Sequence, residues 1–327
     1  MKILITGCSG YIGSCLSNYL KIKGKIYFLD KDRPKSFTNI KKNFFKCNLN
    51  NLKNTERVIK KIRPDVVIHL AAKSTVNHKI KKSSYILNNI KATKNLIKAM
   101  NKFDVNKIIF SSTAAVYNEN KKLIKENDYL KPISNYGKTK LFAEKEIIKN
   151  KKINYIILRF FNVAGSLTNS SIGEFHNPET HLIPISVFSA LKNKSINIFG
   201  SNYKTSDGTC IRDYVHVKDI CSAIEKSIFY FKKKKSLVVN IGSGKGTSNR
   251  RMLVTLSKIT KKKVKISFLK KRKGDQAILV CSIDKAKKIL KWKPRYSKIE
   301  NILKDEISWS NFLIKKNINR KFLSVQK

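Results

Sequence analysis

The sequence predicts an α/β fold built on a doubly wound parallel sheet, followed by a second, smaller α/β lobe. Three observations lead to this prediction. Short apolar segments rich in β-branched residues alternate with amphipathic helical patterns through the first half of the chain. A glycine-rich turn follows the first apolar segment, and an aspartate follows the second. The 327 residues are enough for two unequal domains, which we place at residues 1–175 and 176–327.

The first unit begins with Lys2–Thr6, a short apolar segment that we predict to be a buried strand. Gly7, Gly10 and Gly13 follow in a G-x-x-G-x-x-G pattern, and an amphipathic helix starts within it. Glycines allow a tight turn and let the backbone approach a pyrophosphate, which the positive end of the helix then attracts. The turn therefore predicts a Rossmann-type dinucleotide site.

A second predicted strand, Lys25–Leu29, runs into Asp30, which lies 23 residues after Gly7. A carboxylate at the tip of this strand can bind both hydroxyls of an adenosine ribose, and it would repel a 2′-phosphate. We therefore expect NAD rather than NADP, a preference that the nearby Arg33 weakens slightly.

The alternation of strands and helices continues to residue 159. The predicted strands are Phe44–Lys46, Val66–Leu70, Lys107–Phe110 and Tyr155–Arg159, and the predicted helices are Leu52–Ile62, Tyr85–Lys102 and Ser134–Lys149. Ligands of open α/β sheets bind at the carboxyl ends of strands, where this chain has Ala71 and Ala72, and further on Ser111, Ser112 and Thr113. A hydroxyl there can hold a substrate oxygen, or it can simply cap the local backbone.

Tyr136 and Lys140 lie four residues apart, so both side chains point the same way from a helix. An ammonium beside a tyrosine favours the phenolate and lowers the pKa. We therefore expect Tyr136 to be a general base with a pKa moved toward working pH. The same spacing arises on solvated helix faces of a chain with 60 Lys against 10 Arg, and it is the preceding glycine turn and Asp30 that favour the catalytic interpretation.

The net charge of +49 raises the question of a nucleic-acid partner. The excess is nearly all lysine and is spread along the chain, which favours compositional drift toward A/T-rich codons. We predict no specific nucleic-acid partner, although so positive a field attracts anionic ligands and weakly binds RNA at low salt.

Cysteine and histidine spacing argues against disulfides and metals. The six cysteines show no Cys-x-x-Cys spacing, and the N-terminal apolar run is too short for a signal peptide. We expect reduced thiols, a cytoplasmic location and no membrane partner. The five histidines form no His-x-x-x-His pair and lie near no cysteine pair, so no metal site is predicted, and His69 and His216 are expected to be structural.

These motifs, in this order, resemble the extended short-chain dehydrogenase/reductase family. The second half of the chain narrows the resemblance, over about residues 1–310, to the bacterial UDP-glucose 4-epimerases. The segments that carry it are RFFNVAG (159–165), PETHLIP (178–184), DGTCIRDYVHV (207–217), NIGSG (240–244) and RKGD (272–275).

The resemblance implies a role for each matching residue. The catalytic set would be Thr113, Tyr136 and Lys140. NAD would be held by Gly7, Gly10, Tyr11, Ile12, Gly13, Asp30, Asn48, Leu70, Ala71, Ala72, Asn88, Lys140 and Phe160. A UDP-sugar substrate would be held by Thr113, Tyr136, Asn162, His181, Leu182, Arg212, Arg272 and Asp275, with the arginines on the diphosphate and Asp275 on the uridine ribose. Arginine suits a diphosphate because it binds phosphate in a bidentate manner.

Four positions depart from or vary within the family pattern. Asn48 replaces an acid that touches adenine, and Phe160 replaces a tyrosine near the nicotinamide, so we expect at most a weaker hold on the cofactor. Ser74 occupies a position that is lysine in some members. Leu279 has an intermediate size where the family gates N-acetylated sugars, which leaves that specificity open.

The implied reaction interconverts UDP-glucose and UDP-galactose through oxidation at sugar C4, rotation of the 4-keto sugar and hydride return. A 4,6-dehydratase would need an acidic pair directly after Thr113, where this chain has Ala114 and Ala115, and a UDP-glucuronate decarboxylase would need a glutamate near there. Epimerases of UDP-GlcNAc or UDP-glucuronate remain open, as does a non-catalytic NAD-binding or RNA-associated regulator on the same fold.

The resemblance also implies an assembly and a chain path. We expect a homodimer formed through the helices Tyr85–Lys102 and Ser134–Lys149, with repulsion between the subunits that salt relieves. The segment from about 214 to 241 is expected to return to the first domain, and the tail after Phe312 is expected to be weakly ordered.

Overall fold

Seven parallel strands form the central sheet of the protein. In this computed structural model, which describes residues 1–34, 40, 42–75, 80–118, 123–167, 172–176, 178–231, 236–272 and 274–318, the strand order is β10-β6-β5-β4-β1-β2-β3. The strands are β1 (Lys2–Thr6), β2 (Lys25–Asp30), β3 (Phe44–Lys46), β4 (Val66–His69), β5 (Lys107–Thr113), β6 (Asn154–Phe160) and β10 (Leu237–Ile241). This arrangement confirms the predicted doubly wound sheet.

Helices cover both faces of the sheet because successive strand residues point to opposite sides. Ile3 and Ile5 of β1 join a core layer with α1 (Tyr11–Tyr19) and α7 (Val217–Tyr230), whereas Leu4 joins the layer on the other face. That second layer is formed with α2 (Leu52–Ile62), α4 (Ala92–Lys102) and α5 (Asn135–Lys149).

The predicted helix Tyr85–Lys102 is interrupted by a wider turn. The chain forms α3 (Lys82–Tyr85), a π-helical stretch (Ile86–Lys91) and then α4. The side chain of Asn89, which is buried in the π stretch, accepts a hydrogen bond from the backbone N–H of Lys73 (2.7 Å) and donates one to the Thr139 hydroxyl (3.0 Å). The extra residue of this turn thus lets one side chain tie the loop after β4 to α5.

The second lobe contains two small sheets. One contains β7 (Asn162–Ala164), β9 (Ile211–His216), β11 (Gly246–Ser248) and β13 (Ile278–Leu279), and the other pairs β8 (Ile196–Phe199) with β12 (Ile266–Leu269). Three helices, α6 (Leu182–Leu191), α8 (Asn249–Thr260) and α10 (Ile299–Lys315), pack around a separate core cluster, and α9 (Asp284–Leu290) lies beside β10.

The chain returns to the central sheet after β9. Helix α7 packs on α1, and β10 then pairs in parallel with β6 as the outer strand. The last described helix, α10, continues to Lys315, and residues 319–327 of the predicted weakly ordered tail lie outside the described residues. None of the helices that the structure describes is long and apolar enough to cross a bilayer.

Candidate active site

One cavity of about 1420 Å³ runs along the carboxyl edge of the central sheet into the second lobe. Every residue that the sequence analysis assigned to cofactor or substrate lines it: Gly7, Gly10, Tyr11, Ile12, Gly13, Asp30, Asn48, Leu70, Ala71, Ala72, Asn88, Thr113, Tyr136, Lys140, Phe160, Asn162, His181, Leu182, Arg212, Arg272 and Asp275. Residues from both halves of the sequence therefore meet at one site.

The glycine turn packs so closely that side chains would not fit. Gly7 has φ +73° and donates its backbone N–H to the carbonyl of Leu29 (2.9 Å). A Cβ on Gly13 would lie 2.2 Å from the Gly7 carbonyl oxygen. Gly10 at the N-cap of α1 supplies no side-chain oxygen to the N–H groups of the first turn, where Tyr11 and Ile12 line the cavity. These are the features of a pyrophosphate cradle.

Asp30 lies at the end of β2 beside this turn. One carboxylate oxygen accepts a hydrogen bond from the backbone N–H of Ser9 (2.9 Å), and the other accepts one from Asp32 (3.3 Å). Burial raises the pKa of Asp30, and these hydrogen bonds oppose the rise. The carboxylate is thus fixed at the cavity wall as an acceptor for sugar hydroxyls.

Asn48 and Phe160, the two departures from the family pattern, take different positions. Asn48 is exposed at the cavity edge, where its side-chain oxygen accepts a hydrogen bond from the backbone N–H of Asn50 (3.0 Å). Phe160 is buried at the end of β6. Asn88 lines the cavity from the π stretch and donates to the carbonyl of Ser84 (2.8 Å).

Tyr136 is placed by the start of α5. Ser134 caps this helix by accepting a hydrogen bond from the backbone N–H of Gly137 (3.0 Å). A Cβ on Gly137 would lie 2.2 Å from the carbonyl oxygen of Ala115, so glycine lets α5 approach the loop after Thr113. As a result the Tyr136 phenol lies close enough to the Thr113 hydroxyl for that hydroxyl to favour the phenolate.

The prediction that the pKa of Tyr136 is lowered is wrong for the protein without bound NAD. Burial raises the pKa of Tyr136 to about 12 and outweighs the hydrogen bond with Thr113, which lowers it. The spacing of Tyr136 and Lys140 indicates a nearby positive charge, but it does not show the cost of placing a phenolate in this cavity wall. Tyr136 also lies in the first turn of α5, where the positive end of the helix favours an anion and therefore opposes the rise in the pKa.

Lys140 is the ionisable group whose pKa moves toward neutrality. Its side chain is buried, and its Nζ lies 4.1 Å from the centre of the Phe110 ring. Burial lowers the pKa of Lys140 to about 7, although Glu144, one turn further along α5, raises it. Lys140 can therefore exist in either protonation state near neutral pH.

A buried ionic network lies behind this pair, and the sequence analysis did not identify it. The carboxylate of Glu144 accepts hydrogen bonds from Arg159 Nε (3.1 Å) and Nη2 (2.8 Å) and from the Ser112 hydroxyl. Arg159 also donates to the Tyr117 hydroxyl (2.7 Å). Two signals were available: Glu144 is four residues after Lys140, and arginine is scarce in this chain.

Arg212 and Arg272, the two arginines that the sequence analysis assigned to the substrate, also line the cavity. Arg272 is half-exposed and forms a two-bond pair with Asp275, from Nε (2.8 Å) and Nη2 (3.3 Å). Its guanidinium lies 4.5 Å from the centre of the Phe199 ring. Arg212 of β9 donates to the carbonyl of Ile211 (3.0 Å), and Asn162 lies in the neighbouring strand β7.

His181 and Leu182 lie where α6 begins. The imidazole Nδ1 of His181 contacts the carboxylates of Glu174 and Glu179, which the sequence analysis did not consider. In contrast, both ring nitrogens of His69 are hydrogen bonded, to Thr6 (2.7 Å) and Thr93 (3.0 Å), as expected of a structural histidine.

The glycine turn, the ribose acceptor and a Tyr/Lys pair on a doubly wound sheet define a nicotinamide-nucleotide-dependent α/β enzyme. The model of the NAD dependent epimerase/dehydratase family matches residues 3–242, and the chain belongs to this family. The UDP-glucose 4-epimerase of Halalkalibacterium halodurans is 36% identical over 320 residues, which cover 94% of this chain and 95% of that protein.

Solved structures resemble the chain over nearly its whole length. The UDP-glucose 4-epimerase of Bifidobacterium longum in complex with NAD+ and UDP has a TM-score of 0.88 and 28% identity, covering 95% of this chain and 98% of that chain. The UDP-Glc/GlcNAc 4-epimerase of Campylobacter jejuni has a TM-score of 0.81 and 32% identity, covering 95% and 99%.

Proposed function

We propose that this protein interconverts UDP-glucose and UDP-galactose and keeps NAD as a bound cofactor. The single observation that carries the proposal is the continuous cavity that joins the glycine turn, the Tyr136/Lys140 pair and the two arginines. Relatives named as UDP-glucose 4-epimerases, and a structural neighbour solved with NAD+ and UDP, support the same assignment.

The residues present fit NAD. The glycine turn leaves no space for a Cβ at Gly13, so backbone N–H groups can approach a pyrophosphate closely. The Asp30 carboxylate is held at the ribose end by backbone hydrogen bonds. NAD, when bound, supplies a hydride acceptor and donor at sugar C4, and its oxidised ring adds a positive charge that favours a nearby phenolate.

Tyr136 and Thr113 would handle the proton of the sugar 4-hydroxyl. Both residues line the cavity and interact with each other, so Thr113 can hold the substrate oxygen while Tyr136 takes its proton. With a pKa of about 12, the phenolate needs support from the start of α5 and from nearby positive charge. Lys140 supplies such a charge when its amine is protonated.

Inversion at C4 requires the sugar to turn while UDP stays in place. Binding energy should therefore lie on UDP, at Arg212, Arg272 and Asp275, rather than on the sugar. In the structure Arg272 pairs with Asp275, and the exposure of Arg272 lets it exchange this carboxylate for a phosphate. Such an exchange would free Asp275 to accept from the uridine ribose.

A second candidate substrate class is the N-acetylated UDP-sugars. The half-buried Leu279 lines the cavity, and the Campylobacter jejuni neighbour is named for both UDP-Glc and UDP-GlcNAc. This alternative keeps the same residues for proton handling and changes only the space for the C2 substituent.

The test is a pair of incubations with UDP-galactose and a second pair with UDP-GalNAc, each followed by NMR. Purified protein is mixed with UDP-galactose without NAD, and a second tube receives NAD. We expect UDP-glucose in the first tube, because the cofactor is retained. Product only in the second tube would attribute a loosened cofactor to Asn48 or Phe160. Turnover of UDP-GalNAc but not UDP-galactose would select the second candidate, and failure with both sugars would refute the proposal.

We also propose a homodimer and a cytoplasmic location. Exposed apolar side chains lie on the two helical segments predicted to pair: Ile86, Leu87, Phe142 and Ile148. All six cysteines are free and buried, which suits a reducing compartment. Light scattering after gel filtration should show a dimer that Phe142→Glu disrupts and that the control Phe229→Glu, an exposed phenylalanine on α7, leaves intact.

A further inference from the structure

Four side chains with metal-ligating atoms converge between residue 172 and helix α6. They are Glu174, His176, Glu179 and His181, and one ligand atom of each lies within 4.8 Å of the others. We propose that this cluster, the 174–181 cluster, binds one divalent transition-metal ion of the Zn²⁺ class. The cluster shares His181 with the residues assigned to the substrate, and Glu174 and His176 line the same cavity, but it does not include Thr113, Tyr136 or Lys140. A metal ion there goes beyond the proposed epimerase reaction.

The donor atoms lie near the spacing of a tetrahedral ion at Glu179 and closer together at Glu174. His176 Nδ1 lies 2.9 Å from Glu174 Oε1 and 3.8 Å from Glu179 Oε1. His181 Nδ1 lies 3.5 Å from Glu179 Oε1 and also contacts Glu174 Oε1. Zinc bonds of about 2.0–2.2 Å in a tetrahedron separate the ligand atoms by about 3.3–3.6 Å. Both imidazoles present the same nitrogen to the same two oxygens, and a bound ion would separate both nitrogens from Glu174 Oε1.

Hydrogen bonds hold the carboxylate of Glu179 and the backbone of Glu174 in place. Glu179 is fully buried, and its Oε1 accepts hydrogen bonds from the backbone N–H groups of Thr180 (2.8 Å) and His181 (3.0 Å). The carbonyl of Glu174 accepts a hydrogen bond from Trp309 Nε1 (2.7 Å) of α10, which anchors this residue to the second lobe. Two buried carboxylates with oxygens within 4.8 Å of each other need positive charge beside them, which an ion or protonated imidazoles can provide.

The chemistry of the donors selects the class of ion. Two imidazole nitrogens disfavour Ca²⁺ and Mg²⁺, which prefer oxygen ligands alone. Imidazole with carboxylate suits Zn²⁺, and four protein donors correspond to a structural rather than a catalytic site. The side chain of His181 is 47% exposed, which gives the ion a route from solvent. The ion would tie the segment before α6 to the start of that helix, where Leu182 lines the cavity.

No metal site was expected from the sequence because the histidines were compared only with one another and with the cysteines. The relevant pattern is Glu-x-His-x-x-Glu-x-His, in which the glutamates supply half of the donors. Its two Glu-x-His pairs are five residues apart, and the structure brings their ligand atoms within 4.8 Å of one another.

The experiment measures zinc and cobalt binding to the full chain. Protein dialysed against a chelator is titrated with Zn²⁺ alone, and bound metal is counted by mass spectrometry after gel filtration. A chromophoric chelator in competition gives the affinity. We expect one Zn²⁺ per chain and, with Co²⁺, the intense visible bands of a four-coordinate ion.

Variants locate the ion, with a matched control elsewhere. His176→Asn and His181→Asn each remove one nitrogen donor and should weaken zinc binding by at least about 100-fold. Mutating a residue that only hydrogen bonds to a metal ligand already costs up to about 100-fold in affinity. His216→Asn is the control, because it removes a buried histidine paired with Asp305 (2.9 Å) outside the cluster, and it should keep one Zn²⁺ per chain. Circular dichroism checks that each variant is folded.

Three results would overturn the proposal: no zinc retained by the wild-type chain, a six-coordinate cobalt spectrum, or unchanged zinc binding in both cluster variants. The cobalt spectrum of the wild-type protein is independent of whether any variant folds. Absence of metal binding would leave the cluster as an ion-paired network of protonated imidazoles and carboxylates.

Discussion

The buried pair between Glu144 and Arg159 should stabilise the protein far more than surface ion pairs do. Both side chains are almost fully buried, and they share two hydrogen bonds. Replacing Glu144 with Gln removes the charge but keeps the shape, and it leaves the Arg159 guanidinium buried without its carboxylate. Breaking a buried pair in this way costs about 3–5 kcal/mol. With a urea m-value of about 3 kcal/mol/M, the unfolding midpoint should fall by about 1–1.7 M.

Glu146→Gln provides the matched control on the same helix. Glu146 pairs with Lys94 at 3.3 Å, but both side chains are about a third or more exposed, so the loss should be at most about 1 kcal/mol. Changing Arg159 to Met in the Glu144→Gln background should recover part of the stability, because no unpaired charge then remains. Equal midpoints for the two glutamate variants, or no recovery in the double variant, would refute the reasoning.

Three further predictions concern protons and the glycine turn. The pKa of Lys140 is about 7 in the folded protein and 10.5 ordinarily, so between these pH values the unfolded chain binds more protons than the folded one. The free energy of unfolding of the wild type should therefore rise with pH relative to that of Lys140→Met. The rise, measured by urea titrations, should be at most about 1.4 kcal/mol per pH unit. Burial lowers the pKa of His69 from 6.5 to about 3, so its contribution to stability should be lost as pH falls through that window, and acid unfolding followed by circular dichroism should be less steep in His69→Gln. Gly13→Ala should reduce co-purifying NAD at least tenfold, measured by chromatography of the released nucleotide, and Gly10→Ala should have less effect because its Cβ would lie 3.3 Å rather than 2.2 Å from the Gly7 oxygen.

The sequence predicted the central sheet well because its signals are local. Each buried strand is a short apolar run, and the turn after β1 needs glycine at Gly7 and Gly13 for reasons visible in the spacing. The π stretch at Ile86–Lys91 could not be predicted, since its widened turn depends on Asn89 bonding to Lys73 and Thr139 across the fold.

Properties of the site that depend on burial were beyond sequence reasoning. The spacing of Tyr136 and Lys140 indicated a shared helix face, but it gave no measure of desolvation, which raises the tyrosine pKa and lowers that of the lysine. The pairing of Arg272 with Asp275 was also unforeseen, because the two residues were assigned to different parts of one ligand. In each case the sequence alone does not show which groups surround the charged side chain in the folded protein.

The most direct test of the account is the replacement of Tyr136 by Phe. Tyr129→Phe is the control, since Tyr129 is 78% exposed. Both proteins are assayed with UDP-galactose, and their bound NAD is measured. We predict that Tyr136→Phe loses a factor of about 10² to 10⁴ in kcat, as expected for the loss of a general base, while retaining NAD. A Tyr136→Phe enzyme with bound NAD that turns over as fast as Tyr129→Phe would contradict the assignment of the proton to Tyr136.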